Sequence, residues 1–348
     1  MVGPSAESLR SHCGVTPPPP KPSPPWTRWL RMNVPAAARS RNQARPPGAR
    51  GPKVEGGEGR GTRSSQRSEG KSARAMRFLS EDELKVVEEV LASHLPRSLQ
   101  VYGYVFQKNR VTSEPMDVIV DRWPDFSAIL CRPRVHTKGD LFKDICVFAK
   151  DDGPLRGLLG EDGIINWEQF LCLGADSSHE ETVMGVAAER GASGKRVALC
   201  HMLFLKDPSH LPTADRSPLR MSSLDESNVD LVNETWKFGN GERSVQMIRN
   251  MIRHFPSCCL WDERGCVVAW ILTYPSGAMG MLYTVPEHRG KGYAKLLIST
   301  MSRRLHSQGY PVYCFVEEEN QLSYRIFRNL GFTEDPAYRA AWFEFHHL

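Results

Sequence analysis

The chain has 348 residues, of which 40% are hydrophobic, 9% aromatic and 24% charged, averages typical of a globular protein in water. The length allows about two domains with their own cores, and no run of roughly 18 or more apolar residues occurs, which excludes a membrane-spanning helix. Lys+Arg outnumber Asp+Glu by 45 to 40, but residues 1–75 alone hold 14 basic and 4 acidic residues. The remainder is mildly acidic, which argues against a body that grips nucleic acid.

Residues 1–75 also hold 12 of the 25 prolines and 9 of the 28 glycines. Apolar side chains are too sparse there to offset the entropy of ordering the segment, so disorder is expected. Three roles stay open for this tail. The stretch from Ser8 to Val54 lacks acidic residues and carries several arginines, as a mitochondrial transit peptide does, although its prolines oppose the amphipathic helix such a peptide needs. Basic Pro-rich tails also bind RNA or SH3-type partners. The third role is an upstream extension, with Met76 as an alternative start before the first foldable segment.

The folded part is expected to begin with a helix. Ser80 and Glu83 form a capping box, Leu84, Val87, Leu91 and Leu95 follow at helical spacing, and Pro96 stops the helix. Runs 101–106, 116–121, 127–131, 145–148 and 197–204 read as strands, with a helix near 180–189, which together make a mixed α+β unit over 76–205. Residues 206–218, rich in Pro, Ser and charge, read as a linker. The unit 219–348 has the expected order β-α-α-β-β-β-α-β-α-β. Nine cysteines, an odd number without a CxxC pair, mostly sit in apolar runs. They predict buried free thiols in a reducing compartment and no metal site.

The most informative stretch joins a strand to a helix: Val285-Pro286-Glu287-His288-Arg289-Gly290-Lys291-Gly292-Tyr293-Ala294. The glycines permit tight backbone geometry. The first N–H groups of the helix have no partner within it and carry partial positive charge, an arrangement suited to a pyrophosphate. Arg289 and Lys291 add charge. Twenty-six residues past Ala294 comes Asn320-x-x-Ser323-x-x-Ile326-Phe327-x-x-x-Gly331-Phe332. Arg289-x-x-Gly292-x-Ala294 and this second segment resemble, in order, the two signatures of the GNAT superfamily of N-acetyltransferases. Ser98-Leu99-Gln100-Val101-Tyr102-Gly103, Trp123-Pro124-Asp125-Phe126, Ile165-Asn166-Trp167-Glu168-Gln169, Val232-Asn233-Glu234-Thr235-Trp236 and Asn240-Gly241-Glu242-Arg243-Ser244 are similar to the glycine N-acyltransferase family.

The resemblance implies a C-terminal GNAT fold, a mixed central sheet flanked by helices, preceded by a smaller α+β domain. It implies an enzyme that passes an acyl group from acyl-CoA to glycine or a similar small amino acid, giving N-acylglycine and CoA by direct attack of the amine on the thioester. Acyl-CoA is then a cosubstrate and no metal is needed. By the same resemblance Tyr283, Thr284 and Val285 pair main chain with the pantetheine arm. Arg289, Gly290, Lys291, Gly292, Tyr293 and Ala294 hold the pyrophosphate, and Asn320 and Ser323 contact the pantetheine or sulfur end. Read alone, Asn320 is equally a helix cap and Ser323 a surface serine.

Two residues depart from the pattern. Many superfamily members place a thiolate-protonating tyrosine where this chain has Phe327. The glycine N-acyltransferases place a glutamate base where it has Ala278, which leaves Glu317, Glu318, His288 or ordered water as the expected base, with Glu317 as the named candidate. Ala278 also keeps open a CoA-binding protein without catalysis, and the acidic body keeps open a protein N-acetyltransferase. The family resemblance suggests a mitochondrial location, with the cytoplasm and endoplasmic reticulum as alternatives.

Overall fold

A computed structural model describes residues 76–111, 115–134, 145–213, 219–239 and 241–347. The expectations placed on residues 1–75 lie outside these. In the first half, β1 (Arg77–Phe78) is followed by α1 (Glu81–Ala92), α2 (Leu99–Lys108), β2 (Met116–Val120), β3 (Ala128–Pro133) and β4 (Ile145–Ala149). Then come α3 (Asp152–Gly160), β5 (Leu171–Asp176), α4 (Glu180–Glu189) and the long β6 (Ala192–Phe204). The second half runs β7 (Arg220–Ser222), α5 (Val229–Thr235), α6 (Glu242–His254), β8 (Ser257–Trp261), β9 (Val267–Thr273) and β10 (Met279–Thr284). It closes with α7 (Tyr293–Ser307), β11 (Tyr313–Glu317), α8 (Gln321–Asn329) and β12 (Ala340–His347).

The described strands form a single mixed sheet in the order β1-β2-β3-β4-β5-β12-β6-β11-β10-β9-β8-β7. The last strand, β12, lies antiparallel between β5 and β6. Phe343 and Phe345 on it are fully buried and belong to the core built by α3, α4 and strands of the first half. The segment 206–218, expected as a linker, runs from the end of β6 to β7, and residues 214–218 of it are not among the described ones.

The capping box at Ser80 forms, with Glu83 accepting from the Ser80 backbone N–H at 2.8 Å. Leu84, Val87 and Leu91 are buried, whereas Leu95 falls past the end of α1 and is 42% exposed. The run 101–106, expected as a strand, is helix α2. Leu99, Gln100, Val101, Gly103, Val105, Phe106 and Gln107 are all buried along it, so no polar face marks the helical period. A Cβ at Gly103 would lie 1.7 Å from the Ser276 carbonyl oxygen, so glycine is what lets α2 touch the β9–β10 turn. Helix α3 and strand β5 were not anticipated. α3 opens Asp152-Gly153-Pro154, which reads as a turn, but its Leu155, Leu158 and Leu159 bury against the sheet. Seven cysteines, 131, 146, 172, 200, 258, 259 and 314, are buried. Burial pushes the Cys200 and Cys258 thiols up to about 12.

The second half follows the expected element order. The apolar side of α7, Leu297, Ile298, Met301 and Leu305, packs on the same core as Trp270, Ile271 and Leu272 of β9. Burial of this kind contributes roughly 1.5–3 kcal/mol per large apolar side chain, and it fixes the helix mouth relative to β10.

Candidate functional site

Strands β10 and β11 run parallel but share one registered pair, Met279 with Cys314. Beyond it they part, and the gap is a cavity of about 310 Å³. On its other edge β10 stays paired with β9, with Met279 opposite Thr273 and Gly280 opposite Leu272, then Tyr283 opposite Trp270 and Thr284 opposite Ala269. Two residues, Met281 and Leu282, therefore stand against Ile271 alone. This is a β-bulge, and Met281 carries a φ of +50°. The bulge turns backbone out of the ladder at the wall of the cavity.

Tyr283 packs against Trp270, with ring centroids 5.0 Å apart and planes 27° apart, while the Arg289 guanidinium lies 5.6 Å from the Tyr283 centroid. Arg289 Nε also donates to the Thr284 carbonyl at 3.0 Å. This ties the exposed loop back to the strand. Val285 is buried, and its N–H donates to the Val268 carbonyl. Gly290 and Gly292 have φ of +76° and +82°, and Gly292 is the cap residue of α7. Nothing lies within 4 Å of where their Cβ atoms would be. Their requirement is thus the left-handed backbone, and open space remains at the helix mouth. Arg289, Gly290, Lys291 and Gly292 are exposed, and Tyr293 and Ala294 are half-buried.

Across the cavity, Asn320 accepts from the Ser323 N–H at 3.1 Å and caps α8, and both residues line the cavity. Phe327 is buried at its wall. The structure also brings Glu317, the last residue of β11, to the cavity, whereas it separates the other expected bases. Glu318 pairs with Arg339 at 3.1 Å, and the His288 ring is set beside Tyr293. Ala278 is 1% exposed, in a cluster with Leu99, Cys200, Met202, Tyr313, Tyr338 and Ala340, and is not among the cavity-lining residues.

Sequence reasoning missed the third wall, the turn after α5. Trp236, Lys237 and Phe238 line the cavity, and Lys237 forms an ion pair with Glu317. The Lys237 Nζ also sits 4.5 Å from the Phe238 ring centroid. Ser244 Oγ donates to Asn233 Oδ1 at 2.6 Å, and Gly239 lies so close to the Asn233 carbonyl that a Cβ would come within 1.8 Å of it. The motif Val232–Trp236 with Gly241–Ser244 is thus what holds this turn over the cavity, a signal that the sequence carried without its purpose.

Residues 76–256, over half of the chain, match the family described as aralkyl acyl-CoA:amino acid N-acyltransferase. The chain belongs to that family. Residues 260–342 match the FR47-like protein family. The chain is 31% identical to a mouse (Mus musculus) glycine N-acyltransferase-like protein over 75% of its own length and 96% of the mouse protein's. It is 31% identical to the glycine N-acyltransferase of Bos taurus, with 74% and 95% covered, and 30% identical to the glycine N-phenylacetyltransferase of Bos taurus, with 73% and 93% covered. Among solved structures, an X-ray structure of a Drosophila protein superposes with a TM-score of 0.65 at 18% identity, covering 77% of this chain and 97% of that one. As a member of the family, the chain is an N-acyltransferase with a GNAT-type α+β fold.

Proposed function

We propose that the chain transfers an acyl group from acyl-CoA to the amino group of glycine or another small amino acid, releasing an N-acylated amino acid and CoA. The observation that carries this reading is the cavity between β10 and β11 at the point where they part, beside the open mouth of α7. The helix N–H groups with Arg289 and Lys291 would bind the CoA diphosphate. The edge of β10 at Tyr283, Thr284 and Val285, facing Asn320 and Ser323, would guide the pantetheine arm into the cavity.

The reaction needs an uncharged amine. In this reading Glu317, a carboxylate in the cavity wall, takes a proton from the acceptor ammonium. The amine nitrogen then attacks the thioester carbonyl, and the negative charge moves to its oxygen. A backbone N–H at the Met281–Leu282 bulge would donate to that oxyanion. Collapse breaks the carbon–sulfur bond, and CoA leaves as a thiolate that takes up the second proton of the nitrogen, while Glu317 returns the first to water. A thiolate leaves readily because an ordinary thiol has a pKa of about 8.5, so Phe327 in place of a tyrosine is compatible with turnover. The walls carry the rings of Trp236, Phe238, Trp270, Tyr274 and Phe315, which suit a donor with an aromatic acyl group.

A CoA-release assay that crosses aromatic, short and long acyl donors with a panel of amines tests the reading. Release that requires a small amino acid supports it. A protein that binds CoA but releases none with any amine overturns it.

A further inference from the structure

Nineteen residues line the cavity, and of these Lys237 and Glu317 alone are charged. They have opposite signs, stand on opposite walls and are paired with each other. They come from elements 80 residues apart in sequence. The pair is not isolated at the surface for its own sake: the Lys237 side chain is 54% exposed and that of Glu317 26%, and an ion pair so open to water adds little to stability. The lysine head is held in place from behind by the Phe238 ring, and its turn is fixed by Asn233 and Gly239.

We propose that Lys237 binds the α-carboxylate of the acceptor and so restricts the enzyme to free amino acids. The inference rests on the proposed function and deepens it. A free amino acid is a zwitterion, one cationic and one anionic group on a single carbon. A pair of opposite charges in an otherwise uncharged cavity exchanges its internal contact for two contacts with such a molecule, Lys237 to the carboxylate and Glu317 to the ammonium. Each charge stays compensated throughout, which matters in a cavity walled by aromatic and aliphatic side chains. A simple amine or a lysine side chain brings a cation alone. It would separate the pair and leave the Lys237 ammonium without an anion. A peptide N-terminus has no carboxylate on its α-carbon and meets the same obstacle. Specificity here comes from the group left unpaired by the wrong substrate. The same ion pair would also deliver the ammonium to Glu317, the group that must deprotonate it.

The test compares glycine with glycinamide, which is nearly the same size and lacks the carboxylate charge, as acceptors with one acyl-CoA. Wild-type enzyme should favour glycine. In Lys237→Met the ratio of kcat/KM for glycine over glycinamide should fall by roughly 10- to 100-fold, the worth of a charge-assisted contact, mainly through KM for glycine. Lys237→Arg should restore most of the ratio. A purely structural lysine would lower both acceptors alike and leave the ratio intact. An unchanged ratio in Lys237→Met, or a wild-type enzyme indifferent to the carboxylate, overturns the assignment while the acyl transfer stands. A wild-type protein that binds CoA and acylates no amino acid overturns the reaction itself and this assignment with it.

Discussion

Met279 and Cys314 face each other as the single registered pair between the parallel strands β10 and β11. Everything proposed for this protein is placed by that pair. On one side of it the sheet is continuous with β9, and on the other it opens into the cavity that Glu317, Asn320 and Tyr283 line. β11 stays in the sheet through its other edge, where Tyr313 to Glu317 are all in register with Phe204 to Cys200 of β6. The β11 groups that face β10 leave the ladder where β10 departs, at the wall of the cavity.

Two glycines separate cofactor geometry from packing. Gly292 has a left-handed φ of +82° and open space around it, so Gly292→Ala meets only backbone strain of about 1–2 kcal/mol. The folded protein should survive, and its affinity for CoA, measured by titration, should drop roughly tenfold as the helix-mouth N–H groups lose their convergence. Gly103→Ala drives a methyl into the Ser276 carbonyl and should cost about 3 kcal/mol or more in urea unfolding. Equal behaviour of the two variants would contradict the roles given to them.

Glu317→Gln keeps the shape of the cavity wall and removes the proton acceptor. Steady-state CoA release should show kcat reduced by roughly 100-fold or more, the usual range for loss of a general base, with little change in KM for acyl-CoA. Full turnover in this variant would remove Glu317 from the mechanism.

Restoring a glutamate at the position of Ala278 should not create a better enzyme. Ala278 is packed among Leu99, Tyr313 and Tyr338, and the Tyr313 hydroxyl is already committed to the Ser276 carbonyl. Ala278→Glu would bury a carboxylate without a partner, at a cost of about 3 kcal/mol. Differential scanning calorimetry should show a lowered Tm, and CoA release should not rise. A stable variant that turns over faster would refute this account of the site.

Glu334 links the rear of α8 to the sheet. Burial pushes its carboxyl up, but hydrogen bonds with Tyr324 and His201 and the charge of Arg339 outweigh that and hold it below the usual carboxylate value. A carboxyl depressed in the folded state contributes stability that is complete above its unfolded pKa of about 4.3 and is lost as pH falls through the lower folded value. Glu334→Gln should therefore lose about 1–2 kcal/mol at neutral pH. Its unfolding midpoint should also decline less steeply than that of the wild type below about pH 4.3. Parallel pH profiles would show that the carboxylate is not the group responsible.

The sequence was most legible where structure is local. Helix α1 is announced by its capping box, α7 by Leu297, Ile298, Met301 and Leu305 at helical spacing, and the loop before α7 by glycines whose positive φ no other residue adopts cheaply. Helix α2 reads as a strand because it is buried nearly all round, so its apolar pattern lacks the polar face that distinguishes a helix from a strand. Asn320 and Ser323 are singled out by the resemblance of the second segment, and Asn320 is the helix cap that it reads as on its own.

The chain by itself determined the strand, the glycine turn and the helix that follow one another at the proposed CoA site, because backbone dihedrals and hydrophobic period are properties of neighbouring residues. Only the tertiary structure decided that Lys237 meets Glu317, that Ala278 is buried away from the cavity, and that the C-terminal strand lies between β5 and β6. Those relations join segments far apart in sequence, and they are set by which strands pair and which surfaces exclude water together, which no local spacing encodes.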